Sequence, residues 1–546
     1  MVMNDANAKV FAYHEQSKNL PNRYARAPNY LDWASQPDPF RRYWKAPTVS
    51  LSRPEPTDEP GFAQLHQSGQ IAPASLSAAA IGQLLYDSMA LSAWKVESNA
   101  SRPLRCVPSA GGLHPTEAYL LCGAVERLTT QPALYHYSAF GHSLELRAEF
   151  DFALWQRLCG ELPAEETLLV GLTSIQWRTA WKYGERAYRY CQLELGHAMG
   201  AVSYAAAVLG WCAQSVPIAD ADLAMLLGIA GQAGPDAELP GCLIALYPRR
   251  EYESAVQPFD GDCLEDWQEH LRREPPSPVS TSYREWPLLD EIAEACRIQQ
   301  PLARPVGVKA TEEAHAPHAG VGARGLLRQR RSALKMDGQT AMPWHDFQHF
   351  CCRLAPDRLP LNVLGQPPAL HLLFFVHRVD GLSPGFYILP RSKDGMALLR
   401  TSLRAMPDWH KPEGMTSRLP LFELSKGDAQ TQARVLSCNQ AIASSGAFAV
   451  CMLAEFEQRL DDYGPGEYRS LHWEAGLLGQ AMYMEAQALG LCGTAIGAFL
   501  DDGVHRLLGI ADRKLQALYH FSVGRPMEDQ RVSSLAAYHH LNKPVA

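Results

Sequence analysis

The string WKYGERAYRY holds the densest set of groups able to move protons. Lys182 and Tyr183 are adjacent, and either can donate a proton or hydrogen-bond a developing anion in a low-dielectric cleft. Glu185, Arg186 and Arg189 follow closely enough to organise that loop. The same string also reads as the N-terminal surface of a helix whose Tyr183, Tyr188 and Tyr190 cover core. In SRPLRCVPSAGGLHPTEAY, Pro108 and Ser109 precede Gly111 and Gly112. That composition turns the backbone sharply, presents N–H groups and offers a hydroxyl to a flavin edge or an anion. An ordinary turn before a strand is the alternative.

Further along, GLLRQRRSALKM gathers Arg328, Arg330, Arg331 and Lys335 around Ser332, a set able to hold a phosphate by charge-assisted hydrogen bonds or to form a solvated basic helix face. Gly493 and Thr494 follow a helical run and Arg525 follows a strand-like one, so phosphate could also meet this end; helix caps and turns account for them equally. His114, His136 and His142 have no metal-ligand spacing, and the 13 cysteines contain no CxxC pair, so no metal site is expected and the thiols read as reduced core residues.

These residues need elements to hold them. The first 60 residues, rich in Pro, Arg and aromatics, read as an extended arm over a domain surface (1–60). A first domain, 61–250, contains a helix in SLSAAAIGQLLYDSMALSAW, strands in TEAYLLCGAV, ALYHYSAF and ELPGCLIALYP, and a strong helix in LELGHAMGAVSYAAAVLGW ending at Gly210. Residues 251–320 are polar and Pro-rich and read as a crossover with one embedded helix, PLLDEIAEACRIQ. The second domain, 321–546, is expected to hold QPPALHLLFFVHRVDGLSPGFYILP, a long helix in RVLSCNQAIASSGAFAVCMLAEFEQRL, another in SLHWEAGLLGQAMYMEAQALG and a terminal strand in ALYHFSVGRP.

The two domains echo each other. Arg189, Glu194, Gly196 and Gly210 recur at one constant offset as Arg469, Glu474, Gly476 and Gly490. Pro115, Pro132 and Tyr135 recur at a second, smaller offset as Pro367, Pro384 and Tyr387. The difference between the two offsets implies about 28 inserted residues between the blocks in the second half. The expected fold is α+β: two tandem domains packed as a pseudo-dimer, with antiparallel or mixed sheets flanked by long helices.

Composition bounds the function. The chain has 546 residues, 47% hydrophobic and 20% charged, and a net charge of −8, which excludes a mainly disordered chain and argues against a broad nucleic-acid surface. The opening MVMNDANAKV carries no secretory pattern and no apolar run reaches the ~20 residues of a membrane span, so a cytoplasmic protein without membrane partners is expected.

Together these motifs resemble the nitroreductase-like flavoprotein superfamily, especially the SagB-type peptide dehydrogenases of thiazole and oxazole formation, over roughly residues 80–250 and 320–530. The resemblance implies an FMN held by Arg330 and Ser332 as an Arg-x-Ser element, by Pro108 and Ser109 with Gly111 from the facing half, by Gly493 with Thr494, and by Arg525. Leu334 stands where the family often has a basic residue, with Lys335 adjacent. Since the first half lacks the Arg-x-Ser copy and LNVLGQPP of the second lacks PSAGG, one composite FMN site is expected and the opposite cleft is expected to be vestigial. Lys182 and Tyr183 resemble a catalytic Lys-Tyr pair, which implies hydride removal from an azoline of a peptide or natural product and, in the family's manner, biosynthetic partner proteins. An NAD(P)H-dependent reductase of nitro, quinone or other small molecules is the alternative, and a non-catalytic scaffold in a peptide-modifying complex is a third.

Overall fold

The computed structural model describes residues 5–67, 69–97, 100–248, 256–264, 267–301, 320–412, 419–528 and 532–542. Its strands run, in chain order, β1 (Thr48–Ser50), β2 (Leu91–Glu97), β3 (Ala100–Arg105), β4 (Thr116–Cys122), β5 (Ala133–Ser138), β6 (Ser143–Glu149), β7 (Leu168–Ile175), β8 (Trp211–Val216) and β9 (Glu238–Pro248). In the crossover the embedded helix spans Pro287–Ala295, and 302–319 lie outside the described residues. Then come β10 (Leu370–Val376), β11 (Gly385–Leu389), β12 (Phe422–Lys426), β13 (Phe448–Glu455), β14 (Cys492–Ile496), β15 (Leu515–Gly524) and β16 (Val532–Leu535).

The fold is α+β with antiparallel sheets. One sheet has the order β1-β6-β5-β4-β7-β9-β8, another β12-β11-β10-β13-β15-β14, and a third β16-β2-β3. Apart from the extra edge strand β1, the order of the first is repeated position by position in the second. The inserted residues also have a place: β5 and β6 are joined by residues 139–142, whereas β11 and β12 are joined by 390–421, which contain the helix Lys393–Ser402.

Two helices of 22 residues each, Ala187–Val208 and Glu467–Ala488, pack against each other between the sheets. Both are buried along nearly their whole length, so they are apolar or paired on every side rather than amphipathic. Gly196 and Gly476 face one another where they cross: a Cβ on Gly196 would strike the Trp473 carbonyl and Gly476, and a Cβ on Gly476 would strike the Leu193 carbonyl and Gly196. Tyr188 and Tyr468 stack nearby with an interplanar angle of 10°. Arg189 Nη2 donates to Asp501 Oδ1 at 2.8 Å, and reciprocally Arg469 donates to Asp220 across the same boundary. Burial pushes the Asp501 carboxyl up, but Arg186, Arg189 and the Asn19 N–H outweigh it and hold it below the ordinary carboxylate range.

Three elements differ from expectation. The segment 434–460 is not one helix: Ala429–Leu436 ends at Cys438 and Asn439, whose φ values are 53° and 59°, and 448–455 is β13, paired with both β10 and β15. A strand buried on both faces shows an unbroken apolar run, here FAVCMLA, which periodicity alone does not separate from a core helix. The helix begun at Ala78, capped by Ser77 Oγ accepting from the Ala80 N–H, stops at Ser88, and LSAW enters β2. The arm starts with a helix, Asp5–Gln16, before the irregular chain that leads to β1.

Among the described residues no helix is long and apolar enough to cross a membrane. The three histidines are buried and partnered within the chain: His136 lies between Glu117 and Glu145, which lift its pKa to about 9 despite burial, His142 meets Tyr137 and the Ser52 carbonyl, and His114 meets the Pro103 carbonyl.

The crossing point makes a stability prediction. Gly196→Val forces the two backbones apart and is expected to lower the unfolding free energy by about 3 kcal/mol. Gly325→Ala, in the helix Ala323–Gln329 where a Cβ meets nothing within 4 Å, is expected to raise it by up to ~1 kcal/mol. Urea unfolding midpoints of the two variants against the parent chain measure both signs.

Candidate functional site

β7 runs directly into the helix Gln176–Tyr183, whose last turn carries Lys182 and Tyr183. The arm braces this helix from outside: Trp181 Nε1 donates to the Asp32 carbonyl at 3.0 Å, Trp33 packs edge-on against Trp181, and the Glu185 N–H donates to the Arg26 carbonyl. The loop of Pro108, Ser109, Gly111 and Gly112 lies against the same two side chains. Gly111 has φ of 67°, and a Cβ there would sit 3.0 Å from Tyr183 Oη and 3.3 Å from Lys182 Nζ. Glycine is therefore required twice, for the backbone torsion and for the approach.

The electrostatics of the pair are unequal. Burial, then Arg102, lowers the Lys182 ammonium from its ordinary value, while burial, then Tyr190 and Glu194, raises the Tyr183 phenol. Lys182 is thus the easier of the two to deprotonate, and Tyr183 keeps its proton at neutral pH. Tyr183 also packs edge-on against Tyr190, its ring centroid 4.8 Å away.

Residues of the second sheet's module pack against the start of this loop. Arg330 Nε donates to the Cys106 carbonyl at 2.8 Å and Nη2 to the Arg105 carbonyl at 3.3 Å, tying the chain just before Pro108 to the second half. Its Nη1 is buried without a hydrogen-bond partner. The guanidinium lies over the Tyr483 ring, 5.1 Å from the centroid. Tyr483 Oη is 2.7 Å from Ser332 Oγ and accepts from the Ala495 N–H at 3.0 Å. Gly493 accepts from the Ala333 N–H, and Thr494 Oγ1 donates to the Ala333 carbonyl at 2.7 Å. Arg525 has an exposed side chain, and its carbonyl accepts from the Asp337 N–H at 3.1 Å, so it lies at the outer rim of this cluster.

Of the basic run, Arg330 alone has a buried donor without a hydrogen-bond partner. Arg328 donates to the Tyr86 and Leu91 carbonyls with its guanidinium 3.5 Å from the Tyr86 ring centroid, and Arg331 caps the Arg328, Arg330 and Ser92 carbonyls. Lys335 and Leu334 are exposed. Arg186 and Arg189 serve Asp501 and the boundary between halves rather than the Lys182 loop.

Two residues at the junction escaped the sequence reading as site members. Tyr483, which joins Ser332 to Ala495, occupies the repeat position of Ser203, and a large hydroxyl-bearing ring where the counterpart is small was a usable signal. Glu194 registered only as a repeat marker, yet its Oε1 accepts from the Ala110 N–H at 2.8 Å within the glycine loop.

The residues at the matching sequence positions line a cavity. Gln214, Ser215, Tyr463 and Ser470, the repeat counterparts of Thr494, Ala495, Tyr183 and Tyr190, line a cavity of about 1230 Å³ together with Gln366 and Trp473. There Asp462 occupies the place of Lys182, and Leu364–Gly365 occupies that of the glycine loop.

Arg330 has a structural duty besides any ligand. Arg330→Met leaves the Cys106 and Arg105 carbonyls unpaired and is expected to cost about 2–3 kcal/mol in urea unfolding. Arg525→Gln is expected to change stability by no more than ~0.5 kcal/mol in the same measurement, since the side chain is exposed.

Residues 415–525 match the Nitroreductase family model. A solved nitroreductase of Anabaena variabilis is similar over 95% of this chain and 99% of its own, at 23% identity and a TM-score of 0.68. Shorter matches include a nitroreductase of Exiguobacterium sibiricum in complex with FMN (11% identity, 40% of this chain, 92% of that one, TM-score 0.23) and the E. coli microcin synthetase McbBCD complex (17% identity, 46% and 84%, TM-score 0.26). No curated protein matches by sequence. With the repeated sheet order and the long helices between the sheets, the likeness over nearly the full length gives this chain a nitroreductase-like fold.

Proposed function

We propose that this chain is an FMN-dependent oxidoreductase whose two halves, 61–250 and 321–546, form a covalent pseudo-dimer around one composite site, with 1–60 as a bracing arm and 251–320 as the crossover. The observation that carries the reading is the buried, partnerless Nη1 of Arg330, whose Nε and Nη2 hold the Cys106 and Arg105 carbonyls just before Pro108. A buried cationic donor without a partner is costly, and an anionic group such as a phosphate satisfies it. Arg330, Ser332 and Arg525 hold the phosphate, Gly493 and Thr494 the adjoining backbone wall, and Pro108, Ser109 and Gly111 the ring side.

FMN, when bound, supplies hydride acceptance or donation. The chain's own part is positioning and proton handling. Tyr183 presents a phenol that stays protonated, and Lys182 offers an ammonium made more acidic by burial and Arg102, both fixed against Gly111. The favoured direction is reduction of a small acceptor such as a nitroaromatic or quinone by NAD(P)H, in keeping with the family model matched by the second half. Azoline dehydrogenation on a peptide is the second reading, and the close Lys182–Tyr183–Gly111 contact favours it.

Purified chain reconstituted with FMN is expected to carry about one flavin per chain; two tightly held flavins overturn the composite-site reading. Under anaerobic conditions NAD(P)H, rather than an azoline-containing peptide, is expected to bleach the flavin absorbance. The reverse result selects dehydrogenation. Lys182→Ala and Tyr183→Phe are expected to slow turnover by about 10²-fold with flavin content retained, read by absorbance and stopped-flow traces.

A further inference from the structure

Glu194 is a buried carboxyl that the proton handling above leaves unused. It lies on the helix Ala187–Val208, 5% exposed, with Oε1 accepting from the Ala110 N–H at 2.8 Å and the neighbouring Ser109 side chain pulling on the carboxyl. Its counterpart Glu474 is just as buried, but there the carboxylate accepts from the Ala369 N–H at 2.9 Å and from the Arg391 guanidinium. In the first half the repeat position of Arg391 is held by Ala139. One carboxyl of the pair is balanced by a cation in contact, and the other is not.

The groups facing Glu194 come from every element packed on it. They are Ser109 and Ala110 of the glycine loop, Arg105 of β3 at longer range, Tyr183 of the preceding helix, Tyr519 of β15 and Cys191 of its own helix. Burial pushes Glu194 up to about 8, against the weaker pull of Ala110, Ser109 and Arg105.

A carboxyl reverses its hydrogen-bonding sense when it ionises. Protonated, it can donate its O–H to Ser109 Oγ, which already accepts from the His114 N–H at 2.8 Å. Both acceptor positions of Oγ are then filled, and the serine's own hydrogen points away, toward a ligand. Ionised, the carboxylate only accepts and draws that hydrogen inward. We propose that Glu194 is a positioning residue whose proton decides whether the Ser109 hydroxyl is offered to the cofactor or turned into the protein. This rests on the reading that the Pro108–Gly112 loop touches FMN.

The test is the FMN dissociation constant of the flavin-free full-length chain, measured by quenching of flavin fluorescence from pH 6.5 to 9.5. The parent is expected to weaken about five- to tenfold across a midpoint near 8, the loss of one hydrogen bond. Glu194→Gln, whose amide donates to Ser109 Oγ and accepts from Ala110 at every pH, is expected to keep the tight low-pH value throughout. Ser109→Ala is expected to be weak and flat. Independently of flavin, pH-difference infrared spectra of the flavin-free chain are expected to show a protonated-carboxyl band in the parent that is missing in Glu194→Gln. A parent profile that binds FMN without pH dependence, a Glu194→Gln profile that keeps the parent's pH dependence, or identical infrared bands overturn this proposal alone. No FMN binding by the parent at any pH overturns the functional reading with it, while the infrared result still reports the proton on Glu194.

Discussion

Everything in this molecule is arranged around the contact of two glycines. Gly196 and Gly476 let the two long helices approach until each backbone touches the other, and no side chain could be added at either position without separating them. Close approach of that kind leaves little room for adjustment, so the surrounding groups come in reciprocal sets. Tyr188 stacks on Tyr468, Arg189 reaches Asp501, and Arg469 reaches Asp220. Each ion pair crosses the boundary and is buried, so its partners are worth more for fixing the register of the two halves than for adding stability, and losing one partner strands a charge.

Because the helices are fixed in register, the loops at their ends are delivered to defined places. The first half brings the glycine loop and the Lys182–Tyr183 turn, and the second brings Arg330, Ser332 and the Gly493–Thr494 strand. Arg330 joins the two walls through the Arg105 and Cys106 carbonyls and still has one donor to spare. The chain ends reinforce the junction: β16, at the end of the second half, pairs with β2 of the first, and Tyr538 bonds the Ala139 carbonyl. At the other terminus, the arm holds the helix that carries Lys182.

The two sheet-and-helix modules differ in charge at matching positions. The balanced Glu474 and the unbalanced Glu194 occupy matching positions, and so do Asp462 and Lys182, so equal backbones present unequal charges. The cleft without the arginine junction remains an open cavity of about 1230 Å³.

Much of the architecture was legible in residue order, because local periodicity and repeat spacing are properties of the chain itself. The long helices Ala187–Val208 and Glu467–Ala488, β4, β5, β9 and β15, and an insertion of about 28 residues between Tyr387 and Arg469 could be read that way. β13 could not, since a strand buried on both faces loses the alternation that identifies it, and only pairing with β10 and β15 determines its state. The same division holds for the site. Residue types marked Lys182, Tyr183, Arg330 and Ser109 as able to do chemistry, but an arginine run does not say which guanidinium keeps an idle donor. That depends on which carbonyls are in reach: Arg328 and Arg331 use theirs on neighbouring backbone, and Arg330 does not use all of its own. The charge state of Glu194 is likewise set by burial without a contacting cation such as the one Arg391 supplies to its twin Glu474, a relation that exists only in three dimensions.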